Sequence, residues 1–165
     1  NRRKAAVYVH PNSSACCRAP IPDVSPSVME FTFDTTRTIV SLLFSGALAR
    51  FPDINWIFSH AGGTLPMLVE RITNIIEAQP RLRERVPHGA MYEFKKLYYD
   101  LAQGSSPMQL GALTRLVEPS QIVFGSDYPF WSTAAAQKGM AAWEFDESAK
   151  QAIWNGNAKR LFRLT

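Results

Sequence analysis

Four short apolar runs recur along the chain, at residues 5–9, 54–59, 97–101 and 121–125. The second and fourth runs are rich in β-branched and aromatic residues, and they do not alternate regularly with polar residues. Parallel strands that are covered on both faces have this composition, because neither face meets water. The runs therefore predict four strands of a parallel sheet.

Helical patterns lie between and after these runs. Apolar residues spaced i, i+3, i+4, i+7 share one helix face, and this spacing begins at Ile39 and again at Leu65. Ser106-Pro107 and Asp146 are typical helix starts, and a further helix is expected over residues 133–143. Strands that alternate with helices predict a parallel sheet with crossover helices, in one α/β domain over residues 1–165.

Side chains near the helix ends predict where two of these helices begin or stop. Asp34 or Thr35 is expected to cap the first helix, and Phe51-Pro52 is expected to end it. Thr64 is the expected N-cap of the second helix. The proline-rich residues 16–28 are expected to form a long irregular loop, and such loops in compact domains usually have a function.

Composition narrows the class of protein. With 165 residues, of which 46% are hydrophobic and 19% charged, the chain can bury a core. Its net charge of +4 comes from scattered residues and does not favour a nucleic-acid partner. No apolar run reaches about 18 residues, so we expect no membrane span and a cytoplasmic location. The adjacent Cys16 and Cys17 are interpreted as reduced thiols.

Candidate chemistry lies where the predicted strands end. His10 follows the first run, His60 follows the second, and Asp127 follows the fourth. The carboxyl ends of parallel strands form the ligand-binding edge of α/β folds, so these side chains are expected to converge. Imidazole nitrogen and carboxylate oxygen suit Zn²⁺, Mn²⁺ or Fe²⁺. The three strand ends together predict a metal site.

Each of these residues also has a structural alternative. His10 precedes Pro11 and fits a turn, and Asp127 fits an Asx turn, which is a common use of aspartate. His60 is the strongest candidate, because Ala61-Gly62-Gly63 after it lets main chain or substrate approach closely. His88 lies in a turn with no strand before it, and is interpreted as structural or surface-exposed.

At these residues the sequence resembles the metal-dependent amidohydrolase superfamily, within its decarboxylase branch. That branch includes the aminocarboxymuconate-semialdehyde and resorcylate decarboxylases. The resemblance covers nearly the whole chain, and the Cys16-Cys17 loop with residues 31–37 looks most similar to 6-methylsalicylate-type decarboxylases. The matching segments are residues 9–11, 33–37, 48–53, 59–63, 70–72, 97–100, 124–129 and 155–162.

The resemblance implies a (β/α)₈ TIM barrel with one divalent metal ion, Zn²⁺ or Mn²⁺. His10 would then end strand five as a metal ligand, and His60 would end strand six and act on substrate or metal-bound water. Asp127 would end strand eight as a ligand and a catalytic proton donor. Arg71 resembles an arginine that reaches the substrate carboxylate across a dimer interface in related enzymes, which implies a homodimer.

The chain departs from the family pattern at its start. The family has a His-x-His pair on strand one, and this chain begins near strand five. We therefore expect the C-terminal half of a single barrel domain, about strands five to eight. Four strands do not close a barrel, so two strand edges would stay unpaired unless another copy covers them.

The implied reaction is non-oxidative decarboxylation of an aromatic or unsaturated acid, such as a salicylate-type carboxylate. Tyr128, Phe130 and Trp131 could wall an aryl pocket, and an ordinary core role is the alternative for them. Two other functions stay open for the chain: hydrolysis of a lactone or amide by a related metal enzyme, and an inactive truncated fragment.

Overall fold

A computed structural model describes residues 1–12 and 21–164. The predictions for Cys16 and Cys17 lie outside the described residues. The sheet contains the parallel strands β1 (Ala6–Val9), β2 (Asn55–Phe58), β3 (Tyr98–Asp100) and β4 (Ile122–Val123), in the order β1-β2-β3-β4. The four strands predicted from the apolar runs are confirmed, and the fold is α/β with a parallel sheet.

Helices follow each strand, as predicted. Short 3₁₀ turns cover Pro26–Val28, His60–Gly62 and Pro119–Gln121, and a π-helical turn covers Ala152–Gly156. The α-helices are α1 (Glu30–Phe44), α2 (Ala47–Arg50), α3 (Leu65–Ala78), α4 (Pro80–Arg83), α5 (Ala90–Lys95), α6 (Pro107–Leu116), α7 (Thr133–Ala142), α8 (Glu147–Gln151) and α9 (Asn157–Phe162). Among the residues described, no helix is long and apolar enough to cross a membrane.

The predicted ends of the first helix are wrong. α1 begins at Glu30, so Asp34 and Thr35 lie inside it. Their polar groups bond within the helix: Asp34 pairs with Arg37 at 3.0 Å, and Thr35 Oγ1 donates to the carbonyl of Phe31 at 3.1 Å. α1 also stops before Gly46, whose φ of 73° is a left-handed conformation that suits glycine. Phe51-Pro52 therefore follows α2 instead of α1.

The starts of the other helices agree better with the sequence. Ser106 Oγ accepts from the Gln109 N–H at 3.3 Å, and Asp146 Oδ1 accepts from the Ala149 N–H at 2.7 Å, so both caps are confirmed. Thr64 occupies the N-cap position of α3, but its side chain does not cap the helix. Its hydroxyl instead pairs with Thr36 Oγ1 on α1, at 2.9 Å.

The sheet has two faces of different character. The helix-packed face, which includes Phe58, Tyr99 and Ile122, belongs to the main apolar core with α1, α3 and α6. Because side chains alternate along each strand, Tyr8, Ile57, Asp100 and Val123 lie on the opposite face. There Ile57 and Val123 pack against Leu161 of α9 in a smaller cluster. The opposite face therefore carries polar side chains toward the carboxyl ends of the strands.

Candidate metal centre

Three side chains converge at the carboxyl ends of the strands. His10 comes after β1, His60 after β2 and Asp127 after β4, and one potential ligand atom from each lies within 4.8 Å of the others. His10 Nε2 is 3.4 Å from Asp127 Oδ1, and His60 Nε2 is 3.7 Å from Asp127 Oδ2. The predicted convergence of these three residues is confirmed.

The ring of His10 is oriented by its own neighbour in the chain. Nδ1 lies 3.0 Å from the carbonyl oxygen of Pro11. A carbonyl oxygen only accepts, so Nδ1 carries the proton and donates it. The lone pair of a neutral His10 ring is then on Nε2, the nitrogen that faces Asp127. In metal-binding histidines, the ring nitrogen that does not bind the metal typically donates such a hydrogen bond.

His60 is the buried member of the group, with a side chain only 5% exposed. Burial lowers its pKa below the ordinary value, and the carboxylates of Asp100 and Asp127 oppose this effect. Its Nδ1 is buried and has no hydrogen-bond partner among the described residues. One ring nitrogen is therefore buried without a partner among these residues, which is unusual unless something else binds there.

The turn that carries His60 has an uncommon backbone. His60 and Ala61 have φ values of 56° and 55°, and Gly62 and Gly63 continue at 76° and 66°. A Cβ on Gly63 would lie 2.1 Å from the carbonyl oxygen of Thr32, so only glycine fits there. Left-handed φ at non-glycine residues is costly, and such residues cluster at active sites and ligand-binding turns.

Gln103 is a site residue that the sequence analysis did not identify. Its Nε2 donates to Asp127 Oδ2 at 2.6 Å. Its main-chain carbonyl oxygen accepts from Gln109 Nε2 at 3.0 Å. The available signal was its place just after the third apolar run, at the same edge as the three candidates. Gln103 thus holds one carboxylate oxygen of Asp127 and leaves the other toward His10.

The chemistry of this donor set fits a divalent metal ion. Ligands in a tetrahedral site lie about 2.0–2.2 Å from the metal, and hence roughly 3.4 Å from one another. The distance of 3.4 Å between His10 Nε2 and Asp127 Oδ1 agrees with that spacing. His10 presents a lone pair, Asp127 presents an anionic oxygen, and both suit Zn²⁺ or Mn²⁺.

A cavity of about 560 Å³ opens over these residues. Trp131, Phe130 and Phe31 supply its aromatic wall. Phe130 is 82% exposed and Trp131 49% exposed, so the alternative of an ordinary core role is wrong for them. Tyr128 is 79% exposed and is not among the described residues that line the cavity. Its role in substrate binding stays a prediction.

Two other candidates lie away from the cavity. Arg71 is exposed on α3, where it borders a surface depression with Met67 and Ile75. It is not among the described residues that line the cavity. His88 is exposed, as the surface interpretation expects, and its ring lies tilted against that of Tyr92, with centroids 4.9 Å apart.

Curated proteins similar to this chain include two fungal decarboxylases. "Decarboxylase macB" of Penicillium terrestre is 32% identical over 173 residues, which cover 98% of this chain and 51% of the relative. The 6-methylsalicylic acid decarboxylase of Penicillium expansum is 30% identical over 165 residues, with 98% and 51% covered. The chain therefore spans about half the length of the curated relatives it matches.

A solved structure has the same fold over a similar span. It is the 5-carboxyvanillate decarboxylase of Novosphingobium aromaticivorans, complexed with manganese and 4-hydroxy-3-methoxy-5-nitrobenzoic acid. The TM-score is 0.83 at 18% identity, over 95% of this chain and 47% of that chain. The fold of such neighbours is a TIM barrel, and this chain corresponds to about half of it. Since the amidohydrolase profile also matches residues 2–164, the chain belongs to the amidohydrolase family.

Proposed function

We propose that the protein is a metal-dependent carboxy-lyase that releases CO₂ from an aromatic, salicylate-type acid. The observation that carries the proposal is the convergence of His10, His60 and Asp127 beneath a cavity with an aromatic wall. Relatives named as decarboxylases at 30–32% identity support it. We further assign the chain to strands five to eight of the barrel, an assignment supported by the order of the three strand-end residues.

The reaction replaces a carboxylate with hydrogen on an unsaturated carbon. A proton is added to the ring carbon that bears the carboxylate, and the electrons of the C–C bond return to the ring as CO₂ leaves. Protonation before bond cleavage avoids a free carbanion. A bound divalent ion supplies Lewis acidity and orients the oxygens of the substrate.

Other side chains of this protein bind the metal ion, deliver the proton and contact the aryl ring. His10 and Asp127 hold the metal ion, and His60 delivers the proton as the general acid, with Asp127 as the alternative donor. His60 suits this task because its Nε2 faces the cavity edge beside Asp127. Burial lowers the pKa of His60 and so makes the protonated ring a stronger acid, while the carboxylates of Asp100 and Asp127 favour the protonated form. The aryl ring of the substrate lies against Phe31, Phe130 and Trp131.

The described part of the cavity offers the substrate carboxylate no cationic side chain. Among the described residues that line it, none is lysine or arginine. We propose that Arg71 of a second copy supplies this charge in a homodimer. Exposed apolar side chains beside it on α3, Met67 at 76% and Ile75 at 36%, give such a contact an apolar component. The small aromatic carboxylate is then bound by a metal and an arginine together.

The test uses the complete protein, meaning the translation product of the whole reading frame that encodes this chain. It is incubated with Mn²⁺ or Zn²⁺ and with salicylate or 6-methylsalicylate, and released CO₂ and the corresponding phenol or methylphenol are quantified. Parallel incubations contain a lactone or an amide. We expect equal amounts of both products, lost after chelation and restored by metal. Ring-opened or deacylated acids from lactones or amides, with no CO₂, would assign the protein to metal-dependent hydrolysis instead. The cytoplasmic location stays a prediction.

A further inference from the structure

We propose that Asp100 and Tyr8 form a positioning pair that holds the main chain of His60 in its catalytic orientation, an inference that rests on the proposed function. Asp100 ends β3 on the opposite face and is only 2% exposed. Its Oδ1 accepts from the His60 N–H at 2.9 Å and from the Ala102 N–H at 3.0 Å. Its Oδ2 accepts from the Tyr8 hydroxyl at 2.5 Å.

His60 needs such a device because only one of its two ring nitrogens has a polar contact: Nε2 lies 3.7 Å from Asp127 Oδ2. A catalytic histidine is commonly oriented through its second ring nitrogen, by a carboxylate or a carbonyl. Here Nδ1 of His60 has no partner in the described part of the chain. The direction of the ring therefore depends on the main chain as well as on the Asp127 contact, and that main chain has the disfavoured φ of 56°. The bond from its N–H to Asp100 fixes this turn.

The carboxyl group of Asp100 has little freedom to move. A Cβ built on Gly125, two residues after β4, would lie 3.0 Å from the Asp100 carboxyl carbon, so the main chain there packs closely against the carboxyl group. The hydroxyl of Tyr8 holds the second oxygen from two strands away. The carboxyl group packs against Gly125, and its Oδ2 accepts the hydrogen bond from Tyr8. Its Oδ1 is therefore directed toward the His60 N–H.

Tyr8 also connects two parts of the site. It lies on β1, two residues before His10, whereas Asp100 is 92 residues away from it in the chain. The Tyr8–Asp100 bond thus joins the strand of a proposed metal ligand to the residue that holds the proton donor. The spacing between metal and proton donor is set by this bond as well as by the sheet.

The experiment compares four variants of the complete protein loaded with Mn²⁺. Asp100→Ala removes the acceptor, and we expect kcat to fall about 10–100-fold, the range typical of residues that orient site groups. Tyr8→Phe should lower kcat toward the small end of that range, with KM and bound Mn²⁺ unchanged. Asp100→Asn keeps an acceptor oxygen and should restore most of the activity. Tyr99→Phe is the matched control, since its hydroxyl donates to the Phe94 carbonyl on the helix-packed face, at 2.9 Å.

Amide hydrogen exchange gives a readout that does not depend on turnover. The His60 amide should exchange faster in Tyr8→Phe and in Asp100→Ala, and as in wild type in Tyr99→Phe. If the wild type releases no CO₂, the proposed function fails, while this exchange still tests the positioning pair. Unchanged His60 exchange, equal kcat losses in Tyr8→Phe and Tyr99→Phe, or loss of Mn²⁺ in the Asp100 variants would each overturn the inference.

Discussion

The two faces of the sheet differ in what their side chains do. On the helix-packed face, Phe58, Tyr99 and Ile122 are fully buried and contribute to the apolar core. On the opposite face, Tyr8 is 51% exposed while Asp100 is buried and hydrogen-bonded. Burial of apolar area drives folding, whereas a buried carboxylate stabilises little by itself. The fold therefore depends mainly on one face, and the candidate chemistry on the other.

Tyr99 on the helix-packed face and Tyr8 on the opposite face show this difference between core and site. Tyr99 has a fully buried ring, and its hydroxyl bonds to a main-chain carbonyl, that of Phe94. Tyr8 is half exposed, and its hydroxyl bonds to the carboxylate of Asp100. The first arrangement satisfies a polar group in a core, and the second connects a strand to the site. Substitutions on the two faces should thus affect different measurements.

The largest expected effect is at His60. His60→Ala in the complete protein should lower kcat about 10²–10⁴-fold, since a general acid acts in the transition state, and bound metal should remain. His60→Asn tests the backbone separately, because asparagine tolerates left-handed φ better than alanine does. Steady-state kinetics and metal analysis measure both effects, with the exposed His88→Ala as control. Complete metal loss in His60→Ala would make His60 a ligand instead.

A phenylalanine from each region should separate stability from activity. Phe58→Ala removes a fully buried side chain from the helix-packed face and should lower the free energy of unfolding by about 3–5 kcal/mol. Phe130→Ala removes an 82% exposed side chain at the cavity, and its unfolding free energy should change by less than about 0.5 kcal/mol. Denaturant titration measures both values. Equal losses would contradict the division between the two faces.

A smaller effect is expected for Phe130 on substrate binding. The ring lines the cavity and is otherwise exposed, so its removal should raise KM with little change in kcat. The same kinetic assay measures it. An unchanged KM would show that the aryl ring of the substrate lies elsewhere.

Gln103 should have the smallest effect of the site residues. Gln103→Ala removes the hydrogen bond to Asp127 Oδ2, and metal affinity should weaken about 10-fold, at the low end for groups that orient ligands. A competition titration with a fluorescent chelator measures this change. The control is Gln121→Ala, since Gln121 bonds to the carbonyls of Lys96 and Leu97, away from the three candidate ligands. Equal affinities for metal in wild type and Gln103→Ala would contradict the assignment.

The sequence predicted the helix-packed face better than the opposite face. Apolar runs and helical spacing identify strands and helices because burial is periodic, and the residues His10, His60 and Asp127 stood out by following those runs. The start of α1 was missed because Asp34 and Thr35 bond within the helix, which a capping preference does not reveal. N-cap preferences of aspartate and threonine predict a helix start only weakly, because these side chains can also bond to partners inside the helix.

The contacts of Asp100 and Gln103 were beyond the reach of sequence reasoning. An aspartate after a strand is as typical of a turn as of a site, and the Tyr8–Asp100 bond joins residues 92 positions apart. The φ of 56° at His60 also has only a weak sequence signal, because any single non-glycine residue rarely adopts such a conformation. These contacts and this backbone conformation depend on which strands lie side by side and in what register. Patterns within a few residues of sequence do not specify that arrangement.

The central claim is that a metal ion binds on the opposite face at the carboxyl ends of the strands. Anomalous diffraction at the manganese edge from crystals of the complete protein soaked in Mn²⁺ tests it most directly. The account predicts one strong peak in contact with His10 Nε2 and an Asp127 carboxylate oxygen, absent in crystals of Asp127→Ala. A peak of equal height in Asp127→Ala, or a full-occupancy peak away from these two residues, would contradict it.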